Sequence, residues 1–323
     1  MRAVICRTHG PPELLDVVEQ ENPRAGAREV IVEVAAAAVN FPDLLIMADR
    51  YQVSLPTPFI PGSEFAGVVI EVGEEVAALS VGDRVRGTTF HGAFAERVAI
   101  DADRLALVPE GVDLVEAAAF FVTHATAHHC LRSVAELAAG ERLLVLGAAG
   151  GVGSAAVALG VAMGADVVAV ASSEDKLAVC RSLGAEIVVD GRSDDLRDAF
   201  RTAVPDGVDV VIDPVGGSQS EAAVRACRWG ARFVTVGFAS GEIPAIPLNL
   251  VLLKGVSLMG FEMRGFAEHR GDALERDRLE LEELFVSGRV RPLIGATFPL
   301  EDAPAALQSV ADRTAVGKVL LVP

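Results

Sequence analysis

The chain has 323 residues, 51% of them apolar, with 45 acidic side chains against 28 basic ones and a formal net charge of −17. That length suggests about two domains, and the composition supplies ample apolar material for a core. The acidic balance speaks against nucleic acid and anionic lipid as partners, because both are bound through a basic face.

The opening segment, Met1 to Pro12, has no apolar run long enough for a secretory leader. Short strand patterns follow. Glu29 to Val39, Glu64 to Val72, Gly82 to Arg86 and Gly92 to Ile100 are brief apolar or alternating runs punctuated by Gly and Pro. Short strands with frequent turn signals predict a compact, barrel-like β domain.

Beyond about Ala117 the pattern changes. Strands are predicted at Arg142 to Leu146, Asp166 to Ala171, Glu186 to Val189, Val208 to Ile212, Ala231 to Val236 and Val256 to Met259. Helical patterns separate most of them, at Ser154 to Met163, Asp175 to Leu183, Leu196 to Val204 and Gln219 to Ala226. Apolar strands alternating with helices predict right-handed βαβ units on a mostly parallel, doubly wound sheet. A charged helix is expected at Asp272 to Phe285, then strands at Ile294 to Pro299 and Lys318 to Val322. The fold class is therefore α/β, a β-rich domain joined to a doubly wound one.

Leu143 to Ala165 carries no charged residue and is long enough to cross a bilayer. Its glycines argue otherwise: Gly147, Gly150, Gly151 and Gly153 fall within seven residues. With Val152, they form a turn between a predicted strand and a predicted helix, where unpaired backbone N–H groups and the positive helix end suit a pyrophosphate. An NAD enzyme often carries an acid at the end of the next strand, on the ribose 2′-hydroxyl. Here Ala171 is followed by Ser172, Ser173, Glu174, Asp175 and Lys176, with Arg192 beyond the strand after that. Hydroxyls and cations in place of the acid predict NADPH as cofactor, with Ser172, Ser173, Lys176 and Arg192 as candidate contacts to its 2′-phosphate. The two serines also suit a helix cap.

Cys6, Cys130, Cys180 and Cys227 lie far apart, without metal-knuckle or disulfide-framework spacing, which predicts reduced thiols and a cytoplasmic location. His124 and His128 have helical i, i+4 spacing, but no carboxylate pattern accompanies them, so they read as packing residues.

The glycine turn combines with AVNFPDLLIMADRYQVSLPTPFIPGSEFAGVV (Ala38 to Val69), VGDRV (Val81 to Val85), DPVGG (Asp213 to Gly217) and VGFASG (Val236 to Gly241). Together they resemble the medium-chain dehydrogenase/reductase superfamily, in its zinc-free NADPH:quinone oxidoreductase branch. The resemblance runs along essentially the whole chain. It implies a GroES-like first part (1–120), a Rossmann domain binding NADPH (121–264) and a return to the first domain (265–323). It also implies a homodimer through the last Rossmann strand, near Val256 to Met263. Zinc-bearing members place catalytic ligands on a Cys, a His and a later Cys or Glu. This chain has Asn40, Ser63 and an apolar segment around Ala119 and Phe120 instead, so no metal is expected and alcohol oxidation is disfavoured.

What the resemblance leaves is hydride transfer from NADPH to a quinone, or alternatively to an activated C=C bond of an enone or enoyl-thioester. By resemblance Asn40 and Asp43 line the cleft near the nicotinamide, where an Asn would orient a carboxamide or an acceptor oxygen. Tyr51, the sole tyrosine, would stack on a flat acceptor or donate a proton. Thr123 and Thr126 resemble contacts to nicotinamide or diphosphate. Val236, Gly237 and Phe238 should pass beside the nicotinamide, and Lys318 should lie near the closing strand, among the cofactor contacts. A Tyr that relatives often carry after the third Rossmann strand is Gly191 here.

Overall fold

The computed structural model describes all residues from Met1 to Pro323. In chain order the strands and helices are β1 (Arg2–Cys6), β2 (Leu15–Glu19), β3 (Glu29–Val39), α1 (Phe41–Met47), β4 (Glu64–Val72), β5 (Arg84–Thr88), β6 (Arg97–Asp101), β7 (Leu105–Leu107) and α2 (Leu114–His129). Then come β8 (Arg142–Val145), α3 (Gly151–Ala162), β9 (Asp166–Ala171), α4 (Glu174–Ser182), β10 (Ile187–Asp190), α5 (Leu196–Ala203), β11 (Val208–Asp213), α6 (Ser218–Ala226) and β12 (Cys227–Thr235). The chain ends with α7 (Leu248–Lys254), β13 (Ser257–Gly260), α8 (Met263–His269), α9 (Gly271–Val286), β14 (Ile294–Pro299), α10 (Ala303–Ala311) and β15 (Lys318–Val322).

Two compact units divide it: Met1–Val122 with Pro292–Pro323, and Thr123–Arg291. The first is β-rich. Its main sheet runs β14-β15-β3-β4-β5-β7, with β6 also paired to β3, and β1 and β2 form a separate ribbon. The long strand β3 holds the sheet together because its two edges pair along different stretches: Glu29 to Glu33 with β6, Ala37 to Val39 with β15, and most of its length with β4. Val30, Val32, Phe65, Val85 and Phe94, all fully shielded, fill its core together with Leu300, Ala306 and Leu307 of the C-terminal segment.

The second unit has one six-stranded parallel sheet in the order β10-β9-β8-β11-β12-β13. Numbered from β8 this is 3-2-1-4-5-6, the order of the dinucleotide-binding doubly wound fold. Strands covered on both faces read as continuous apolar runs, and Leu143, Leu144 and Val145 of β8 have no exposed surface. The doubly wound fold read from the sequence is thus present.

The return to the first unit comes at Pro292, later than the expected 265. α9 is bound into the second unit by Asp277 and Glu280, which bond to His129, Ser133 and Arg132, and by its buried Ala273, Leu281 and Phe285.

Candidate functional site

The site-bearing residues of the first unit gather where β3 ends and α1 begins. Asn40 precedes α1 with an extended backbone, and its N–H donates to Asp43 Oδ2 at 2.8 Å, so an acid in the first turn satisfies a donor that the helix start leaves open. Glu64 opens β4 and Lys318 opens β15. Sheet register brings these ends together, since Ala38 of β3 pairs with both Glu64 and Leu320.

The result is a buried polar cluster. Asn40, Asp43, Glu64 and Lys318 are at most 4% exposed. Lys318 Nζ donates to Asn40 Oδ1 at 2.6 Å and to Glu64 Oε2 at 3.0 Å. Asn40 Nδ2 donates to Glu64 Oε2 at 3.1 Å and to the Ala38 carbonyl at 3.3 Å. Glu64 Oε1 accepts the Val122 N–H at 2.7 Å. An ammonium only donates and a carboxylate only accepts, which fixes the Asn40 amide orientation. Both of its N–H bonds are then used inside the protein, and Oδ1, which accepts from Lys318, also faces the Asp43 N–H in the capping box at the start of α1.

Asp43 carries the unusual charge behaviour. Burial pushes its carboxyl up to about 7, and the neighbouring Glu64 adds to the push; the Asn40 N–H, the Ser63 hydroxyl and the Lys318 ammonium oppose it. Its Oδ1 is buried without a hydrogen bond of good geometry, although the Ser63 hydroxyl lies near enough to act on it. With Lys318 balancing Glu64, an ionised Asp43 is a surplus buried negative charge, and a protonated Asp43 leaves the cluster neutral.

These residues do not fit a zinc ion. No group of three His, Cys, Asp or Glu side chains is placed to hold a metal. Glu64, the one strong ligand type at the expected motif, already binds an ammonium, and Asn40 and Ser63 are weak donors for zinc. Lys318, expected among the cofactor contacts, has two of its three N–H groups committed to this cluster. Glu64 was not among the expected site residues; the available signal was a charge directly before the apolar run Phe65 to Ile70, since such a charge is buried only when paired. Tyr51 lies after α1, half-buried against the core, its ring centroid 6.1 Å from that of Phe90.

In the second unit, β8 leads into the glycine turn. Gly147 has φ +59°, a conformation that glycine adopts freely, and a Cβ on it would lie 2.7 Å from Val215 Cγ2. A Cβ on Gly153 would sit 2.1 Å from the Gly147 carbonyl oxygen, so the helix can approach the turn only because residue 153 is glycine. Gly150 precedes α3, and no side chain caps the helix; Gly151, Val152 and Gly153 form its first turn. This is a cradle for an anion: close backbone, open N–H groups and the positive end of a 12-residue helix. It fits a dinucleotide pyrophosphate.

Asp213, absent from the expected site, buckles the neighbouring turn. Its Oδ1 accepts the Val215 and Gly216 N–H groups, and Oδ2 accepts the Ser220 hydroxyl at 2.5 Å. Its carbonyl accepts the Val236 N–H, and the Pro214 carbonyl accepts that of Ala239, so the stretch Val236, Gly237, Phe238 is tied beside the end of β11. Ser173 caps α4 by accepting the Lys176 N–H at 3.3 Å, as the sequence allowed, while Ser172 is exposed. Glu174 is drawn off by Arg181. Arg192 leans on Asp190 at 3.3 Å and remains largely exposed. Thr123 is buried, with its hydroxyl 3.4 Å from His124 Nδ1; Thr126 is half-buried on the same helix. His124 and His128 are buried as packing residues, and burial lowers the His128 pKa against the pull of Asp277 and Glu280.

Comparison with known proteins agrees with this geometry. Residues 26–110 match the family model of the alcohol dehydrogenase GroES-like domain, and residues 151–276 that of the zinc-binding dehydrogenases. The chain is 36% identical to the quinone oxidoreductase-like protein 2 of Bos taurus, over 99% of this chain and 92% of that protein. It belongs to the medium-chain dehydrogenase/reductase superfamily, in the quinone oxidoreductase-like branch. It is therefore an oxidoreductase by family. Among solved structures it is similar to the quinone oxidoreductase of Escherichia coli complexed with NADPH, with TM-score 0.91, 28% identity and full coverage of both chains. It is also similar to CurK enoyl reductase, with TM-score 0.85 and 27% identity over 99% of this chain and 98% of that one. The match to a zinc-binding family extends to the fold and stops short of the zinc donors.

Proposed function

We propose that this oxidoreductase uses NADPH, without zinc, to reduce a quinone. The observation that carries the reading is the Lys318–Glu64–Asn40 cluster: Asn40, which stands where zinc-bearing members place a cysteine ligand, is bonded to a buried ammonium, and neither it nor Ser63 is a strong zinc donor. An alcohol would need a Lewis acid to support its alkoxide. A quinone takes hydride without one, and water can protonate its product. NADPH supplies that hydride when bound. The glycine turn with the uncapped start of α3 holds its pyrophosphate, and Ser172, Ser173, Lys176 and Arg192 supply donors and positive charge to its 2′-phosphate. Thr123, Thr126 and the Val236–Phe238 stretch position the nicotinamide end. The E. coli quinone oxidoreductase, bound to NADPH, supports the cofactor assignment.

Reduction of an activated C=C bond is the second reading, favoured by the likeness to CurK enoyl reductase and by Asp43, a buried acid that keeps its proton up to about pH 7. Consumption of NADPH and NADH, followed by absorbance with ortho- and para-quinones, an enone and crotonyl-CoA in the presence of EDTA, separates the two. Loss of NADPH with quinones alone is expected. Turnover of only the enone or thioester moves the function to C=C reduction, and abolition by EDTA sinks the zinc-free reading.

A homodimer is part of the same proposal. Strand β13 pairs only with β12 and leaves one edge open. Around it Trp229, Leu252 and Leu253 are 71–82% exposed, and Leu258 on the strand itself is exposed. An open apolar edge of this kind invites strand pairing with a second copy. No helix is long and apolar enough to cross a membrane. Four buried, unpaired cysteines support a cytoplasmic setting.

A further inference from the structure

In a doubly wound sheet of this strand order, a dinucleotide lies across the carboxyl ends of the strands. The ends of β9 and β10 form the part that receives the adenosine half. Gly191 follows β10 directly, and its N–H donates to the carbonyl of Ala171, the last residue of β9, at 2.8 Å. Its φ is not positive, so the backbone does not require glycine here. The neighbours do. A Cβ at this position would lie 2.9 Å from Gln219 Nε2 and 3.1 Å from Val170 Cγ1. Gln219 stands in the first turn of α6, half-buried, and its Nε2 donates to the Gly191 carbonyl at 3.0 Å. The glutamine side chain occupies the room that a side chain at 191 would take.

One N–H of the Gln219 amide is therefore fixed on the strand end. The other N–H and Oε1 make no bond within the chain. An amide offering one donor and one acceptor side by side is the complement of an adenine edge, which presents the 6-amino donor next to a ring-nitrogen acceptor. The bond to Gly191 removes much of the rotational freedom that a glutamine otherwise loses on binding.

We propose that Gln219 reads the base of the dinucleotide: its Oε1 accepts from the adenine 6-amino group, and its second Nε2 hydrogen donates to the adjacent ring nitrogen. The inference rests on the NADPH reading and adds a second recognition element to it. Ser172, Lys176 and Arg192 address the 2′-phosphate, whereas Gln219 addresses the base, so the two selectivities are separable.

The test compares direct binding of NADPH with that of its hypoxanthine analogue, in which the 6-amino donor is replaced by a carbonyl acceptor. Dissociation constants come from calorimetry or from quenching of protein fluorescence, with no turnover required. Wild-type protein is expected to prefer NADPH by about five- to tenfold. Gln219→Leu keeps most of the volume and is expected to bring the two affinities within about twofold of each other. Gly191→Ala, whose added methyl displaces the glutamine, is expected to do the same while leaving Gln219 in the chain. Equal affinities in the wild type overturn the proposal. So does a preference retained by Gln219→Leu or by Gly191→Ala. Wild-type protein that binds neither dinucleotide overturns the NADPH reading and this inference together.

Discussion

Replacing Asp43 by Asn should change how stability depends on pH, with a sign and size set by its surroundings. Burial raises this carboxyl from an ordinary 3.8 to about 7 in the folded chain. Between those values the folded protein holds a proton that the unfolded chain has released, so wild-type stability falls as pH rises through the interval. At 1.36 kcal/mol per unit the interval costs the wild type about 4 kcal/mol, fully lost above about pH 7. The side chain is 1% exposed, so solvent screening takes little from this figure. The amide introduced by Asp43→Asn is neutral at every pH and its oxygen can still accept the Asn40 N–H, so the variant lacks this dependence. Urea denaturation of both proteins from pH 4 to 8 provides the measurement. The difference in unfolding free energy, wild type minus Asp43→Asn, should drop by about 4 kcal/mol between pH 4 and 7 and then level off. A difference that stays constant, or that moves in favour of the wild type as pH rises, would show that Lys318 and the Asn40 N–H outweigh burial and that Asp43 is ionised throughout.

Lys318→Met leaves Glu64 buried without its counter-charge and should destabilise the first unit by about 3–5 kcal/mol in urea, with Lys318→Met/Glu64→Gln recovering part of the loss. Gly153→Ala drives a methyl onto the Gly147 carbonyl; NADPH binding measured by fluorescence should weaken at least tenfold, because the turn must open. Leu258→Lys on the open edge of β13 should shift the protein to monomer in sedimentation velocity at unchanged secondary structure; a variant that stays dimeric places the interface elsewhere. Asp277→Asn disrupts the buried tie of α9 to His129 and Ser133, and a loss of about 3 kcal/mol in thermal or urea unfolding is expected.

Legibility in the sequence followed the range of the signal. Strands β3, β4, β9, β14 and β15 were readable to the residue, because their apolar runs are bounded by Gly, Pro, charged or small polar residues. The glycine turn was readable because strand, turn and helix are contiguous. Helix α2 was not marked as an element, since LVEAAAFFVTHATAHH is apolar on nearly every side and shows no stripe of period 3.6. Strands β1, β2 and β7 are at most five residues long and too short for a pattern to stand out. The site was readable only where its parts are local: Asn40 and Asp43 share one motif. The pair formed by Glu64 and Lys318 spans 254 positions, and nothing in either neighbourhood names the other. Gln219 and Gly191 are 28 positions apart and meet only because β10 ends and α6 begins at the same side of the sheet.

The Lys318–Glu64 pair also bears on why one fold can leave metal chemistry behind. A catalytic zinc keeps an open coordination position and lends it to the substrate oxygen. The ammonium tethered to β15 balances the buried Glu64 carboxyl here, but it is held by its own bonds to Asn40 and Glu64 and polarises a substrate far less. The strand ends are thus buried with Glu64 and Lys318 paired, and the cluster offers no Lewis acid. Such a site is left with acceptors that take hydride without help at their oxygen. On that argument Lys318→Arg, which keeps the charge, should retain most of the stability without gaining any alcohol oxidation. A variant that did oxidise alcohols would show that the cation, and not its missing open position, limits the chemistry.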